Sequence, residues 1–431
     1  MSVLNKDKTR KTCRPLASLT FSACFLGVLS LCLSPLGPFQ SLSKQARTKL
    51  GSEVFLENDP VQLKGKRLGL VINHTSQLPD GSSLVQAILK SGANVRAIFT
   101  PEHGFRGDIE QGKSVEDSYF KKIKIFSLYG KTRRPTAGQI QDIDAFIYDI
   151  QDVGTRFYTY ITTLKYVIEA ASAYGKSVYV LDRPNPIGGL IVEGPCLRSQ
   201  FESFIGAFPI PLRYGLTAGE LAQMMVGEKW VQNPADLQVI RMKNWKREYF
   251  WKDTGLTWTP PSPNMPTPEA AILFPGTGLL GALKINHGLG TSHPFQQVGA
   301  PFLDPELIRR RVQGGQEFGV EMEPTTFTPR SLPGIVLHPP YENKVCQGLR
   351  ICIRQPEKCL SVRLTLALIR ALKEIYPDRV SPLAEPLNLH FGSDLLLHYL
   401  EEKVSFSQLM IEMEQDEQLF KKKSVKYFLY E

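Results

Sequence analysis

The chain has 431 residues, of which 42% are hydrophobic and 22% are charged, and its formal net charge at pH 7 is +9. This length suits two or three domains with a large buried core, and the composition excludes a globally disordered chain and a polytopic membrane protein. Lysine and arginine form no stripe interleaved with aromatic residues, so nucleic-acid binding is not predicted.

The first forty residues (1–40) have the composition of a leader. Five basic residues precede an uncharged stretch, and the apolar centre of that stretch is 16–33. This pattern is typical of a secretory signal and predicts an exported protein, periplasmic or extracytoplasmic. The alternative is an uncleaved membrane anchor, since the run nearly reaches the roughly 20 residues that span a bilayer. Pro35 and Pro38 close the run and favour a cleaved signal, and Cys24 leaves lipidation as a third alternative.

After a polar connecting segment (41–62), predicted strands and helices alternate along the chain. The stretch 67–72 is an apolar run typical of a strand buried on both faces, and 83–89 has helical spacing. Further predicted strands are 95–99, 123–128, 144–150 and 177–181, and further predicted helices are 160–174 and 217–229. This order predicts an α/β fold with a doubly wound, mostly parallel sheet.

Five prolines between Pro260 and Pro268 predict a stiff extended crossover and a domain boundary. The boundary divides an N-terminal α/β domain (63–262) from a smaller α+β domain (263–431). In the second domain the pattern predicts a strand at 349–353 and helices at 360–376, 393–400 and 406–413.

Four of the predicted strands end in polar loops. If the strands are parallel, these loops meet at the sheet edge where open α/β folds bind ligands. The loops contain carboxyls, amides, arginines and aromatic rings, without a serine or thiol nucleophile and without a phosphate-binding loop. Glycoside hydrolysis needs such an inventory: one carboxyl protonates the leaving oxygen, and a carboxylate or an activated water acts opposite. Amides and aromatic rings suit sugar hydroxyls and ring faces.

Some of these polar residues also have structural interpretations. Asp149 is either a catalytic group or a buried partner of Arg156. Asp182 either belongs to the site or forms a salt bridge with Arg183 or caps a turn. These alternatives stay open in the sequence, because all of the residues sit at predicted strand ends.

The sequence supports neither a cofactor nor a metal site. The pattern Gly276-x-Gly278-x-x-Gly281 matches a dinucleotide fingerprint, but it opens no clear helix after a strand. Zinc-type Cys-x-x-Cys and His-x-x-x-His spacings are absent from the sequence. Cys346, Cys352 and Cys359 are predicted as isolated buried thiols, although a pair of them could bridge in an oxidising compartment.

Eight stretches, in order along the chain, carry a family resemblance. They are GLVINHTS (69–76), PEHGFRGD (101–108), SLYGKTRRPT (127–136), DIQDVGTRFYTY (149–160), LDRPNPIGG (181–189), VEGP (192–195), PIPLRYGLTAGELA (209–222) and PPSPNMPTPE (260–269). With these motifs the chain resembles the NamZ/YbbC family of exo-β-N-acetylmuramidases, which are glycosidases of peptidoglycan fragments. The resemblance implies a Rossmann-like N-terminal catalytic domain (63–262), a smaller C-terminal domain (263–431) that completes the cleft, and release of N-acetylmuramic acid from non-reducing ends. It also implies that the glutamate of PEHG, Glu102, is the catalytic acid.

One segment, 286–296, departs from the family pattern. Where the family usually reads S-E-G-R-G-T-T-K-P-F-E, this chain has His287, Leu289, His293 and Gln296 in place of a glutamate, an arginine, a lysine and a second glutamate. If the arginine or lysine binds the lactyl carboxylate, its loss removes a charge-assisted hydrogen bond of roughly 1.5–3 kcal/mol. The alternative function is therefore a non-catalytic wall-sugar binding protein, and a membrane-tethered scaffold is a third.

The combined prediction is an exported glycosidase that acts on a peptidoglycan-derived saccharide, with no cofactor, no metal and an undetermined oligomeric state. Glu102 is the predicted general acid, and His103, Asp149 and Asp152 are candidates to tune it or to act opposite. The predicted substrate-binding residues are Asn73, Arg106, Arg156, Tyr158, Asp182, Arg183, Asn185, His287 and His293.

Overall fold

The computed structural model describes residues 46–58, 63–313 and 318–431, so the predictions for the leader (1–40) lie outside the described residues. Within the described ranges, no helix combines the length and the apolar character needed to cross a bilayer. The contacts of the chain group Ala46–Glu431 into one unit. The four described cysteines, Cys196, Cys346, Cys352 and Cys359, are free thiols.

A seven-stranded sheet forms the centre of the N-terminal part. Its strands are β1 (Arg67–Ile72), β2 (Asn94–Thr100), β3 (Ser118–Phe120), β4 (Ile123–Ser127), β5 (Ala145–Asp149), β6 (Ser177–Leu181) and β7 (Asp236–Ile240). They lie in the order β3-β4-β2-β1-β5-β6-β7, and only β3 runs antiparallel to its neighbour. This arrangement confirms the predicted Rossmann-like, mostly parallel sheet.

Helices cover both faces of this sheet because successive residues of each strand face opposite sides. They are α1 (Gly51–Glu57), α2 (Leu84–Lys90), α3 (Ala137–Ile140), α4 (Tyr160–Ala173) and α5 (Ala218–Gly227). In β5, Phe146 and Tyr148 join the core that contains α4 and α5. Ala145 and Ile147 join the core that contains α1 and α2. The apolar runs predicted as two-sided strands are thus buried on both faces.

The helix α1 occupies a segment that the sequence pattern assigns to the polar connection 41–62. Val54 and Phe55 are buried, because this short apolar run packs under the sheet. Gly51 donates its N–H to the Asp182 carbonyl (2.9 Å), and a Cβ at residue 51 would lie 2.4 Å from the Asp182 nitrogen. Glycine is required here because only a residue without a side chain allows the two backbones to approach so closely.

The C-terminal part is α+β, as predicted. Three antiparallel strands, β8 (Gln297–Ala300), β9 (Val320–Phe327) and β10 (Cys346–Ile353), lie in the order β8-β10-β9. The helices are α6 (Pro268–Thr277), α7 (Pro305–Gln313), α8 (Ser361–Ile375), α9 (Ala384–Phe391), α10 (Leu395–Leu400) and α11 (Phe406–Ser424). Thr267 caps α6 by accepting the Ala270 N–H, so the proline-rich segment ends in a helix start.

Buried polar contacts join the two parts. The Arg213 guanidinium donates to the Cys359 carbonyl (2.9 Å), and the Gly194 N–H donates to Glu417 (2.8 Å). One hydrophobic cluster also runs from α4 and α5 through α6 to α8 and α9. The predicted division at 262/263 therefore lies within a continuous core.

Candidate active site

The sheet topology places a switch point between β1 and β5, since the chain continues from β1 to β2 on one side and builds β5, β6 and β7 on the other. A cavity of about 370 Å³ lies beyond the carboxyl ends of the strands. Its lining includes Glu102 after β2, Tyr129 after β4 and the segment 157–159 after β5. The C-terminal part contributes residues of α6, the segment 287–295 and α9.

Glu102 lies in the wall of this cavity with 8% of its surface exposed. The Gly112 N–H donates to its Oε1 (3.0 Å), and the Thr159 hydroxyl donates to its Oε2 (2.8 Å). Two donors on different loops therefore hold the carboxyl group in one orientation. Thr159 immediately precedes α4, so the sheet and the first turn of that helix set the position of Oε2.

Tyrosine hydroxyls surround this carboxyl group. Burial and the neighbouring Glu102 carboxylate both raise the pKa of Tyr129. Burial is the main cause that raises the pKa values of Tyr158 and Tyr160. Tyr160 donates to the Pro261 carbonyl (2.6 Å). The tyrosines therefore stay protonated and act as neutral hydrogen-bonding groups beside the acid.

His103 follows Glu102 directly and also lines the cavity. Its φ of 68° is left-handed, which is unusual for a residue with a Cβ and turns the side chain away from the regular strand path. Its Nδ1 lies 2.6 Å from the Ile109 carbonyl, which can only accept, so Nδ1 carries the proton. In neutral His103, Nε2 is consequently the acceptor.

One part of the remaining wall is aromatic. Phe274 packs edge-to-face against Phe157 (ring centroids 4.9 Å apart) and Phe295 (4.6 Å). His287 stacks on Phe295 (5.5 Å), and burial lowers the pKa of His287 to about 4. His287 is therefore an uncharged ring at neutral pH, and this wall is suited to the apolar face of a sugar.

Asp149 and Arg183, predicted as site residues, are bonded to each other. The Arg183 guanidinium donates from Nε to Asp149 Oδ1 (2.6 Å) and from Nη2 to Oδ2 (2.8 Å). Asp149 is fully buried, and neither residue lines the cavity beside Glu102. Asp149 lies on the sheet face of Ala145 and Ile147, whereas Phe157 belongs to the core on the other face. The sequence-based alternative that paired Asp149 with Arg156 is therefore corrected: its partner is Arg183.

The side chains of Asp182 and Asn185 are also engaged in hydrogen bonds with other residues of the protein. Asp182 accepts from the Thr217 hydroxyl (2.7 Å), the Gly219 N–H (2.8 Å) and the Tyr430 hydroxyl (2.6 Å). It thus supports the start of α5, and the structure shows no Asp182–Arg183 side-chain salt bridge. Asn185 donates from Nδ2 to the Leu216 carbonyl (2.9 Å). The loop after β6 is thus held against the segment that leads into α5.

Arg156 and Asp152 are both buried outside the cavity lining. Arg156 donates to the carbonyls of Pro195 (2.7 Å), Ile210 (2.7 Å) and His390 (3.1 Å), which ties the loop after β5 to α9. Asp152 accepts from the Gly154 N–H (2.6 Å) and the Tyr214 hydroxyl. Burial raises the pKa of Asp152 to about 6.

Three further predicted residues lie away from the cavity lining. Arg106 is exposed, and His293 is half-buried next to the wall segment. Asn73 is buried and accepts from the Thr75 N–H (2.9 Å) and the Thr75 hydroxyl (2.6 Å). Of the predicted residues, the structure thus brings Glu102, His103, Tyr158 and His287 together at the cavity.

The sequence reasoning missed several residues that line the cavity, including Tyr129, Thr159, Asn264 and His390. Tyr129 follows β4, so the rule that parallel strands end at one edge would have found it. Asn264 donates from Nδ2 to the Ile335 carbonyl (3.2 Å). His390 lies at the end of α9 and packs against Phe157 (5.2 Å). Neither Asn264 nor His390 carries a local signal, because both reach the cavity through packing of the C-terminal part.

The described part of the chain shows how possible metal ligands and the glycine pattern at 276–281 are arranged. No group of three or more His, Cys, Asp or Glu residues is placed there to hold a metal ion. The glycine pattern serves packing: a Cβ at Gly276 would lie 2.0 Å from the Ser361 carbonyl oxygen, and Gly278 and Gly281 line the cavity.

Family models match both parts of the chain that contribute to the cavity. The family model described as exo-beta-N-acetylmuramidase NamZ, N-terminal, matches residues 68–269, and the corresponding C-terminal model matches 272–430. This chain belongs to the NamZ family. It is 36% identical over 392 residues to the peptidoglycan beta-N-acetylmuramidase NamZ of Bacillus subtilis (strain 168), with 90% of this chain and 92% of that protein covered. As a NamZ family member it is a glycosidase, as its motifs predict.

Two crystal structures of DUF1343 family proteins from Bacteroides fragilis NCTC 9343 have the same fold. The first has a TM-score of 0.82 and 34% identity, covering 89% of this chain and 99% of that chain. The second has a TM-score of 0.73 and 31% identity, covering 90% of this chain and 99% of that chain. The NamZ family architecture of this chain therefore agrees with experimentally determined folds.

Proposed function

We propose that this protein is an exo-acting glycosidase that releases N-acetylmuramic acid units from the non-reducing ends of peptidoglycan fragments, with Glu102 as general acid. One observation carries the proposal: among the described residues that line the cavity, Glu102 is the only carboxylic acid. The similarity to the Bacillus subtilis enzyme over 92% of its length supports the substrate class. The aromatic wall and the hydroxyl donors suit a sugar ring.

In the proposed mechanism, protonated Glu102 gives its proton to the glycosidic oxygen as the bond to the anomeric carbon breaks. The Thr159 hydroxyl supports both states of Glu102, since a hydroxyl can donate to the carboxylate or accept from the protonated acid. The Gly112 N–H keeps the second carboxyl oxygen in place throughout. Tyr129 stays protonated beside them, because burial and the carboxylate both raise its pKa.

The second catalytic role falls to His103 in this proposal. Because Nδ1 of neutral His103 donates to the Ile109 carbonyl, Nε2 is free to accept a proton from a water that attacks the anomeric carbon. The water proton then passes to His103 while the leaving oxygen takes the proton of Glu102. Asp149 and Asp152 take no part in this scheme, since both are bonded to protein groups outside the lining.

The experiment compares the wild-type protein with Glu102→Gln on solubilised peptidoglycan fragments. Released monosaccharide is measured by mass spectrometry, and folding is monitored by circular dichroism. Turnover should fall by about 10²–10⁴ because the amide cannot donate the proton. Glu116→Gln is the matched control, since Glu116 is an exposed carboxylate on the same loop and should keep full turnover.

A second candidate function is a wall-sugar binding protein without hydrolysis. It is favoured by one observation: His287 and Leu289 of the altered segment 286–296 line the cavity itself. Saccharide binding without any released monosaccharide would support it and overturn the enzymatic proposal. Full turnover in folded Glu102→Gln would instead remove Glu102 from the mechanism.

We also propose that the protein is exported and works outside the cytoplasm. The basic and apolar composition of residues 1–40 supports this proposal. N-terminal sequencing of the mature protein, together with cell fractionation, tests it. A mature chain that starts beyond residue 33 indicates a cleaved signal, an intact N-terminus in the membrane fraction indicates an anchor, and an intact protein in the cytoplasm overturns export.

A further inference from the structure

The charge of the cavity lining is the starting point. Among the described residues that line it, none is a lysine or an arginine, and Glu102 is the only carboxylic acid. Three histidines complete its ionisable groups apart from the tyrosines: His103, His287 and His390. Burial lowers the pKa of His287 to about 4 and also lowers the pKa of His390. At neutral pH these two rings are uncharged, so the lining offers no fixed positive charge.

Two arginines, Arg156 and Arg133, contact residues in or next to the lining but are not part of it. Arg156 is fully buried and donates to three backbone carbonyls. The Arg133 guanidinium is exposed and lies 4.4 Å from the centroid of the Phe204 ring. Its charge acts to lower the pKa of Tyr129, but Arg133 is not part of the lining. Neither guanidinium is therefore part of the surface that a ligand in the cavity would contact.

Leu289 is one of the apolar residues of this lining. It is half-buried in the wall segment that also carries His287 and Phe295. A carboxylate that entered beside this wall would lose hydrating water without gaining a cationic partner. It would also share the cavity with Glu102, and the two carboxylates would repel each other once Glu102 has given up its proton. An amide at the same position carries no charge and avoids both costs.

The opening of the cavity leaves room for a substituent. Gln111, Gly112, Leu383 and Pro386 line it and are exposed to solvent. A chain attached to the sugar can therefore leave through the mouth without displacing the buried wall. The mouth is partly apolar, which suits a short peptide better than a bare charge.

We propose, building on the proposed function, that the cavity selects muramoyl ends whose lactyl carboxyl is amidated, as in a peptide stem, over muramoyl ends with a free lactyl carboxylate. Leu289 is the specificity-determining residue. The expected preference is at least about tenfold in kcat/KM, since one charge-assisted hydrogen bond changes affinity by about one to two decades.

The test uses three disaccharides with purified full-length protein. They are N-acetylmuramoyl-N-acetylglucosamine with a free lactyl carboxylate, the same disaccharide capped as the lactyl alaninamide, and di-N-acetylchitobiose. The wild type should cleave the capped disaccharide at least about tenfold faster than the free acid, measured as kcat/KM. Leu289→Arg should raise kcat/KM for the free acid by about tenfold or more relative to kcat/KM for the capped disaccharide.

Two matched variants separate the local charge from other effects. Leu289→Gln changes size and polarity without charge and should keep the wild-type preference. Leu383→Arg adds the same charge at the exposed mouth and should not reproduce the gain on the free acid. An equal gain in Leu383→Arg would show that net charge, rather than Leu289, controls the preference and would overturn the assignment.

The outcomes distinguish this inference from the proposed function. If the free acid is cleaved as fast as the capped disaccharide or faster, the selectivity is overturned while the glycosidase proposal stands. A loss of that free-acid activity in Arg133→Gln would then identify Arg133 as the cation that binds the lactyl group. If neither muramoyl disaccharide is cleaved, the proposed function itself fails. Cleavage of di-N-acetylchitobiose alone would show that the site rejects the lactyl group in any form and would also overturn the selectivity.

Discussion

Replacing Asp149 with asparagine should destabilise the protein and leave its chemistry intact. Asp149 is fully buried, and both of its carboxylate oxygens accept from Arg183, at 2.6 and 2.8 Å. The substitution leaves the Arg183 charge buried without its counter-charge, a change that costs about 3–5 kcal/mol in other proteins. This is a large fraction of the roughly 5–15 kcal/mol that stabilises a typical domain.

The measurement is urea unfolding at pH 7, with the free energy of unfolding taken from the midpoint and slope. Glu321→Gln is the control, because Glu321 pairs with Arg354 at 2.6 Å but both side chains are more than half exposed. Such exposed pairs contribute about 0–1 kcal/mol. The double variant Asp149→Leu/Arg183→Met removes both charges and should recover most of the stability that Asp149→Asn loses.

Two results would refute this reasoning. If Asp149→Asn unfolds at the same urea concentration as Glu321→Gln, the buried pair contributes no more than an exposed pair. If Asp149→Asn stays folded but loses more than about tenfold of its turnover on peptidoglycan fragments, Asp149 takes part in the chemistry. The second result would restore the catalytic role that the sequence left open for this residue.

Three further predictions concern stability and use the same urea assay. Burial lowers the pKa of His287 from 6.5 to about 4, so neutral His287 contributes to the free energy of unfolding fully above pH 6.5. This contribution, about 3 kcal/mol in total, is lost as the pH falls through 4. His287→Phe should flatten this pH dependence, and an unchanged pH profile would contradict the assignment. Thr217→Ala should lower the free energy of unfolding by about 1–2 kcal/mol, since the Thr217 hydroxyl caps α5 by accepting the Glu220 N–H at 3.2 Å. A decrease below about 0.5 kcal/mol would show that the cap is dispensable. Gly276→Ala should lower the free energy of unfolding by about 1–3 kcal/mol or more. The added Cβ would lie 2.0 Å from the Ser361 carbonyl oxygen and force α6 away from α8. A variant as stable as the wild type would contradict that contact.

The central sheet could be predicted from the sequence because its signal is local. Apolar runs such as 67–72 and 177–181 have the same bounds in the structure as in the prediction. The edge strands β3 and β7 were missed, since residues that are only partly buried do not form a continuous apolar run. Thr217 and Glu220 form a capping box at the start of α5, where the predicted helix 217–229 begins. Strong local patterns in the sequence therefore predict where these strands and this helix begin.

The candidate site could be predicted only in part, because strand-end loops do not reveal where each side chain points. Glu102 and Asp149 both lie at the same edge of the sheet, but Glu102 contacts the cavity and Asp149 faces the opposite core. The alternation of residues along 145–149 contained this information, since Asp149 shares a face with Ile147. The choice of Arg183 as its partner depends on the neighbouring strand and has no local signal. His390 similarly depends on how α9 packs.

The polar residues behind the cavity form a frame that keeps its two walls in register. The Asp149–Arg183 pair joins the loops after β5 and β6, and Arg156 connects the loop after β5 to α9 through the His390 carbonyl. Because His390 packs on Phe157, that single guanidinium helps to position an aromatic part of the cavity that Glu102 also lines. Residues of the frame should therefore affect turnover through the stability and position of the walls, whereas Glu102 and Leu289 should affect turnover or substrate preference at unchanged stability. The charged residues at this edge thus have two roles. Glu102 supplies the carboxylic acid of the site, and the others form buried ion pairs and hydrogen bonds that hold the loops around it in place.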